Sequence, residues 1–271
     1  MSNFFFGIPL RSRQASRNWR RVCALLDATL NSTLRQSNPD IEVIIACHEL
    51  PTTRSRDSRV TFLRAKHARP RDRLEQMFDK RSKKIMLAEE ICRRGGGYLM
   101  LLDSDDLVSN RLAEFVMQQH NKRGYVVDQG YIYDARLRKL ARVGDFDRVC
   151  GSSVIPYLSP GDCHDPQFDW REYVGDTWHA EFRARSADIG RALEPLPFPA
   201  VIYVANNGEN HSTEARGVGG NLRALAIGAR ELARERIRKD RPEVHAVIIE
   251  EFGLESISRG AVRYAETAGS T

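Results

Sequence analysis

The chain has 271 residues, 41% hydrophobic and 29% charged, with a net charge of +6 at neutral pH that comes largely from arginine. This supports one sizeable α/β body with an appendage, or two small domains sharing a cleft, and excludes a disordered chain; the positive excess favours an anionic partner such as a nucleotide diphosphate, lipid head groups or nucleic acid. Five cysteines (Cys23, Cys47, Cys92, Cys150, Cys163) are an odd number without a Cys-x-x-Cys pair, so buried free thiols are expected rather than a disulfide framework or a thiolate zinc site.

Phe4-Phe5-Phe6-Gly7-Ile8-Pro9 reads as a buried first strand. No positive cluster precedes it and no small-residue cleavage site follows, so it does not resemble a signal peptide, and no apolar run is long enough to span a bilayer; the cytoplasm is the expected compartment. Trp19, Val22, Cys23, Leu26 and Leu30 recur at helical steps, and that helix should end near Asn38-Pro39. Ile41 to Cys47 is a β-branched apolar run of the kind covered on both faces in a parallel sheet. A short strand at Val60 to Leu63 and a helix from about Leu74 to Arg94 follow, with Gly95-Gly96-Gly97 as the stop. Tyr98 to Leu102 is the next buried strand, and it delivers Asp103 to its carboxyl end, where open α/β sheets place their ligand crevice.

Beyond a helix around Leu112, Phe115 and Val116, short strands are expected at Tyr125 to Val127, Tyr131 to Tyr133 and Val149 to Ile155, with Pro156 to Trp170 as a loop. A strand at Ala200 to Ala205 leads into Asn206-Asn207-Gly208-Glu209-Asn210-His211, and the rest reads as helical, with arginines opposite an Ala/Leu stripe from Leu222 to Ile237. The fold class expected is α/β with a Rossmann-like, mostly parallel central sheet flanked by helices. Residues 1–118 would form a first half that carries the parallel strands, 119–218 a less regular second half of the same domain and 219–271 a helical appendage.

Asp103-Ser104-Asp105-Asp106 sets several carboxylates side by side, and such a group repels itself unless a cation sits among them. Magnesium or manganese suits it, because either ion accepts oxygens from protein, phosphate and water together. A solvated helix N-cap is the alternative, with Asp106 capping the next helix. Arg11 and Arg13 match phosphate oxygens through the guanidinium fork, although surface solvation explains any single arginine as well.

Leu30-Asn31-Ser32-Thr33-Leu34-Arg35-Gln36-Ser37-Asn38-Pro39 ahead of the strand Ile41 to Cys47, a later helix with lysine and alanine, and an aliphatic strand running into Leu102-Asp103-Ser104-Asp105-Asp106 together resemble the GT-A fold glycosyltransferases, the family 2 type in particular, over roughly residues 4 to 118. The resemblance implies transfer of a sugar from a nucleotide-diphosphate donor, UDP-linked in the first instance, to a carbohydrate or lipid-linked hydroxyl acceptor. It implies a nucleotide pocket lined by Pro9, Arg11, His48, Glu49, Lys83 or its neighbour Lys84, Asp103 and Ser104. Cys47-His48-Glu49-Leu50-Pro51 departs from the acidic, Gly- and Ser-containing turn usual after the second strand, which bears on base recognition. The same resemblance implies Mn2+ or Mg2+ on Asp105, with Asp103 and a late histidine, His211, as further ligands, and Asp176 as the base that takes the acceptor proton. Trp178 beside it suits a sugar face. A helix N-cap accounts for Asp176-Thr177 equally well; Asp165, Asp169 and Glu172 are weaker substitutes for the base.

Other readings are less well matched. A haloacid-dehalogenase-like phosphatase also places Asp-x-Asp after an aliphatic strand, but near the chain start and with a different continuation. A nucleotidyltransferase calls for a Gly-rich loop that Gly7-Ile8-Pro9-Leu10-Arg11 does not supply. A non-catalytic sugar-nucleotide-binding protein would keep the cation site without a base. Nucleic acid is not expected, since the arginines are dispersed and not interleaved with base-stacking aromatics. Contact of the terminal helix with an anionic membrane surface would be peripheral at most, because its stripe lacks interfacial aromatics.

Overall fold

The computed structural model describes residues 3–210 and 242–255. Its first half follows the apolar runs of the sequence. The strands β1 (Phe4–Pro9), β2 (Ile41–Cys47) and β4 (Gly97–Leu101) are buried almost throughout, because both faces of the sheet are covered. Phe4, Phe6 and Ile8 alternate into one core layer with Val22, Leu26 and Leu30 of helix α1 (Trp19–Leu34). Phe5, Ile44 and Ala46 face the other way, against Leu87, Ala88 and Ile91 of helix α2 (Arg73–Arg93).

Strand β3 (Val60–Arg64) closes one edge, and the order β3-β2-β1-β4 is parallel throughout. Beyond β4 the chain returns antiparallel as β9 (Val154–Leu158), followed by β6 (Gly124–Val126) and β10 (Glu194–Pro195), completing a seven-stranded sheet. The Rossmann-like, mostly parallel sheet flanked by helices that the sequence predicts is therefore the architecture observed.

Helix ends are set by side chains. Asn18 accepts from the Arg21 backbone N–H at 3.1 Å to start α1, and Asp72 accepts from Glu75 N at 2.9 Å to start α2. Gly96 ends the turn after α2 at φ +78°, where a Cβ would stand 2.3 Å from the Leu158 carbonyl oxygen; only glycine fits. The α1 helix stops at Leu34, several residues before the expected Asn38-Pro39.

A second sheet stands at the carboxyl ends of the first. It runs β5 (Leu107–Val108), β11 (Val201–Ala205), β7 (Gln129–Asp134), β8 (Lys139–Gly144). Leu107, Tyr133, Ile202 and Val204 pack in a small core with Ile248 and Phe252 of the late helix α6 (Pro242–Phe252). Helices α3 (Leu112–Gln119), α4 (Trp170–Gly175) and α5 (His179–Asp188), with a 3-10 turn at Phe146–Arg148, complete the described elements.

Three expectations change. Asp106 precedes the two-residue strand β5, not a helix, so it has no helix to cap. The strand expected at Val149 to Ile155 begins only at Val154 and continues through Pro156 and Tyr157; Val149 to Ser153 instead turn back toward the acidic strand end. Cys92 and Cys163 are joined in a disulfide across 71 residues, from the end of α2 to the loop after β9, leaving Cys23, Cys47 and Cys150 as the buried free thiols. Neither the count nor the local spacing of cysteines encodes a pair that the crossover from β9 to α4 brings together.

Candidate active site

The sheet order reverses between β1 and β4, and crevices in open α/β sheets lie at such a switch point. A cavity of about 740 Å³ opens there. Pro9, Leu10 and Arg11 line it from the end of β1, and Asp103, Ser104 and Asp105 from the end of β4. Helix α2 contributes Asp79, Lys80, Arg81, Lys83 and Lys84, while the α4 to α5 junction contributes Asp176, Thr177, Trp178 and His179. Ile132, Asp134, Tyr203 and Ala205 of the second sheet line a further wall, joined by Asn206, Glu209 and Asn210 from the loop after β11.

The acidic strand end divides its work. Asp106 is fully buried and structural: its carboxylate accepts from Ser152 Oγ at 2.6 Å, Cys150 Sγ at 3.2 Å and the Val204 backbone N–H at 3.2 Å. Burial, with Asp105 and Asp103 close by, pushes its pKa well up. Asp103 and Asp105 face the cavity instead. Asp103 Oδ1 accepts from Lys80 Nζ at 2.6 Å, and Asp105 Oδ2 accepts from Asn207 Nδ2 at 2.7 Å and Asn210 Nδ2 at 3.2 Å.

Electrostatics separates the two cavity carboxyls. Burial raises Asp103, but Lys80 outweighs it, with help from Lys84 and His179, and holds the acid below its ordinary value. Burial and the neighbouring Asp103 charge push Asp105 up to about 6. Lys80 and Arg11 pull Asp105 the other way but do not offset burial and Asp103, and the hydrogen bonds it accepts come from amides alone. Oxygen donors in that state fit a hard divalent cation.

Helix α2 presents its charges by turns. Lys80 and Lys84, one turn apart, lie toward Asp103; burial and the Lys80 charge lower Lys84 to about 8. Arg81 grips both oxygens of Asp176, with Nη2 to Oδ2 at 2.7 Å. Asp79 and Lys83 point toward the end of β2: Lys83 Nζ donates to Asp79 Oδ2 at 2.7 Å and to the Leu10 carbonyl at 2.8 Å.

Asp176 follows the last residue of α4, so it caps no helix start. Its place depends on Gly175, where a Cβ would fall 2.9 Å from Ile85 Cγ1; the missing side chain lets α4 close on α2. The hydrogen bonds from Arg81 hold Asp176 ionised and below its ordinary pKa. Beside it, Thr177 Oγ1 is buried in the cavity wall without a hydrogen-bond partner among the described residues, and Trp178 is half exposed. Burial, with Lys80 nearby, lowers His179 to about 4 and leaves it neutral near pH 7.

No protein-family model matches the sequence, and comparison with curated proteins finds no match either. Among solved structures, S. aureus TarS is similar to this chain at 11% sequence identity and a TM-score of 0.40, over 90% of this chain and 41% of TarS. The chain thus spans less than half of that protein's length.

Of the residues singled out in the sequence, Pro9, Arg11, Lys83, Lys84, Asp103, Ser104, Asp105, Asp176 and Trp178 line this cavity together. His48 and Glu49 do not line it. His48 is buried, with Nε2 2.8 Å from Asp79 Oδ1, and Glu49 is held by the Arg13 backbone N–H and by Arg69 Nε. His211 and the arginine stripe from Leu222 to Ile237 lie outside the described residues. Lys80, Asn207, Glu209 and Asn210 are cavity or carboxylate partners that the sequence reading does not single out. The i,i+4 spacing of Lys80 and Lys84 carried a signal for the first of them. Glu209 accepts from Arg11 Nη1 at 3.2 Å and from the backbone N–H groups of Arg17 and Asn18 at 3.1 and 2.7 Å, fixing the loop after β1 to the loop after β11.

Proposed function

We propose that this chain is a GT-A-type glycosyltransferase that moves a sugar from a nucleotide-diphosphate donor, UDP-linked by first choice, to a hydroxyl of a carbohydrate or lipid-linked acceptor. The observation that carries the reading is the pair Asp103 and Asp105: cavity-facing carboxyls at the strand end beside the switch point, the second raised to about 6 by burial and by the first. Asp103 and Asp105 would hold Mn2+ or Mg2+, with His211 as a further ligand, and the ion when bound would neutralise charge on the departing diphosphate.

The chain's own groups supply the rest. Arg11, Lys80 and Lys84 bring positive charge to the cavity where phosphates would lie, and Lys80 can leave Asp103 for a phosphate oxygen without losing a charge partner. Asp176 would take the proton of the acceptor hydroxyl as that oxygen attacks the anomeric carbon, with inversion. Thr177 lines the cavity beside Asp176 with its Oγ1 buried and unpartnered among the described residues, and Trp178 would cover a sugar face. Neither a nucleic-acid partner nor more than peripheral membrane contact enters this reading; no helix among the described residues is long and apolar enough to cross a membrane.

A second reading has a specific observation in its favour. The Arg81 pair weakens Asp176 as a base, as a non-catalytic sugar-nucleotide-binding protein would tolerate. Calorimetry with UDP, GDP, CDP and dTDP in the presence of Mn2+ tests both, and absence of manganese-dependent binding to any of them overturns both. Product formation from a labelled donor, lost in Asp176→Ala while nucleotide binding persists, selects the enzyme.

A further inference from the structure

Beside the cavity, a second cluster has different chemistry. His48 comes from the end of β2, His67 from the loop between β3 and α2, and Asp79 from α2. Nε2 of His48 and Nε2 of His67 each lie 2.8 Å from the same oxygen, Asp79 Oδ1. The donor atoms of the three residues all fall within 4.8 Å of one another, and the two rings meet edge to face with centroids 4.9 Å apart. We propose that His48, His67 and Asp79 form a binding site for a borderline transition cation of the zinc class, separate from the all-oxygen pair Asp103 and Asp105.

The donor set decides the class of ion. Two imidazole nitrogens and one carboxylate oxygen suit zinc or its neighbours, whereas magnesium and manganese favour the oxygen-only strand end. Tetrahedral bonds of roughly 2.0 to 2.2 Å set ligand atoms about 3.3 Å apart, so each N···O distance opens by about 0.5 Å to admit the ion, while the two nitrogens, already within 4.8 Å of each other, take the same spacing. Each ring then presents the Nε2 lone pair and carries its proton on Nδ1, so no proton need leave the site. Three protein ligands leave a fourth position for water or another ligand.

The supporting contacts are already in place. The other oxygen of Asp79 is held by Lys83 Nζ at 2.7 Å, and Lys83, itself fully buried, is anchored on the Leu10 carbonyl at 2.8 Å. That second contact turns Oδ1 toward the two rings, as outer-shell partners do for ligating carboxylates. Access is open as well, since the His67 side chain is 32% exposed and Asp79 forms part of the cavity wall.

The test uses untagged full-length protein, stripped with a chelator and titrated with Co2+ by visible absorption and with Zn2+ by calorimetry. One equivalent of Co2+ should give the intense bands of a four-coordinate N/O site, and Zn2+ should bleach them. His67→Gln, on the partly exposed loop, should weaken uptake at least tenfold while its thermal unfolding stays cooperative, and Asp105→Asn should leave it unchanged. Independently of any variant, Zn2+ should shift the Nε2 resonances of two histidines in nitrogen-15 spectra of the wild type. Undiminished Zn2+ affinity in His67→Gln, loss of it in Asp105→Asn, or histidine resonances that do not move would each overturn the assignment.

Discussion

Replacing Asp105 by Asn should stabilise the protein in chelator while removing its hard-cation site, two effects of opposite sign from one atom exchange. The carboxyl ordinarily titrates at 3.8 and is pushed to about 6 in the fold by burial and by Asp103. Keeping it ionised above both values therefore costs about 3 kcal/mol of stability, an upper figure because Asp103 shares the titration. A folded-state pKa above the unfolded one means that the native protein binds the extra proton. The contribution of Asp105 is thus most favourable below 3.8 and is lost as pH rises through about 6. Asn mimics the neutral form and can still meet the amides of Asn207 and Asn210. In urea or thermal unfolding with chelator at about pH 7.5, the variant should exceed wild type by up to about 3 kcal/mol, roughly 6 °C in a domain of this size. At about pH 5 the gap should shrink to roughly half, because much of wild-type Asp105 is then protonated. Calorimetry with Mn2+ should show at least a tenfold loss of affinity in the variant. Equal or lower stability of Asp105→Asn in chelator near neutrality, or a gap that does not narrow toward acid, would refute the charge argument for this site.

Other outcomes follow from single contacts. Asp176→Ala should lower transfer about 100-fold or more, the scale of a lost general base, with nucleotide affinity unchanged by calorimetry. Arg81→Met removes the contact that holds Asp176 down, so the acid limb of a kcat/KM against pH profile should move upward toward the ordinary carboxyl value. Serine at both Cys92 and Cys163 opens a link across 71 residues; chain entropy gives a loss of about 4 kcal/mol, read from urea midpoints, with no further effect of reductant. Glu209→Ala leaves the Arg17 and Asn18 backbone donors without their acceptor. It should cost about 1 to 3 kcal/mol in thermal unfolding and weaken nucleotide binding through Arg11.

The sequence read most clearly where physics is local. β1, β2 and β4 are apolar without interruption because both sheet faces are covered, and Asp103 and Asp105 stood out because they end such a run. The second half was harder to read: β8 mixes basic and apolar residues without strict alternation and leaves several partly exposed, and a turn occupies Val149 to Ser153, where Val149 alone is β-branched. Partnerships set by topology were invisible. His48 sits at a strand end that suits nucleotide contact, yet its partner, Asp79, arrives from a helix 31 residues on. Asp106 was placed as a cap because its ties to Cys150, Ser152 and Val204 span 44 to 98 residues.

Helix α2 behaves like a key cut on three sides. Asp79 and Lys83 engage the histidine pair and the end of β1, Lys80 engages Asp103, and Arg81 engages Asp176. Each successive residue points about 100° further round the axis, so the three engagements share a single rotational setting. Inserting one residue among these positions would turn every later tooth away from its partner at once, a larger injury than any single substitution there. The link from Cys92 at the far end of the same helix to Cys163 restrains that rotation from outside the cavity.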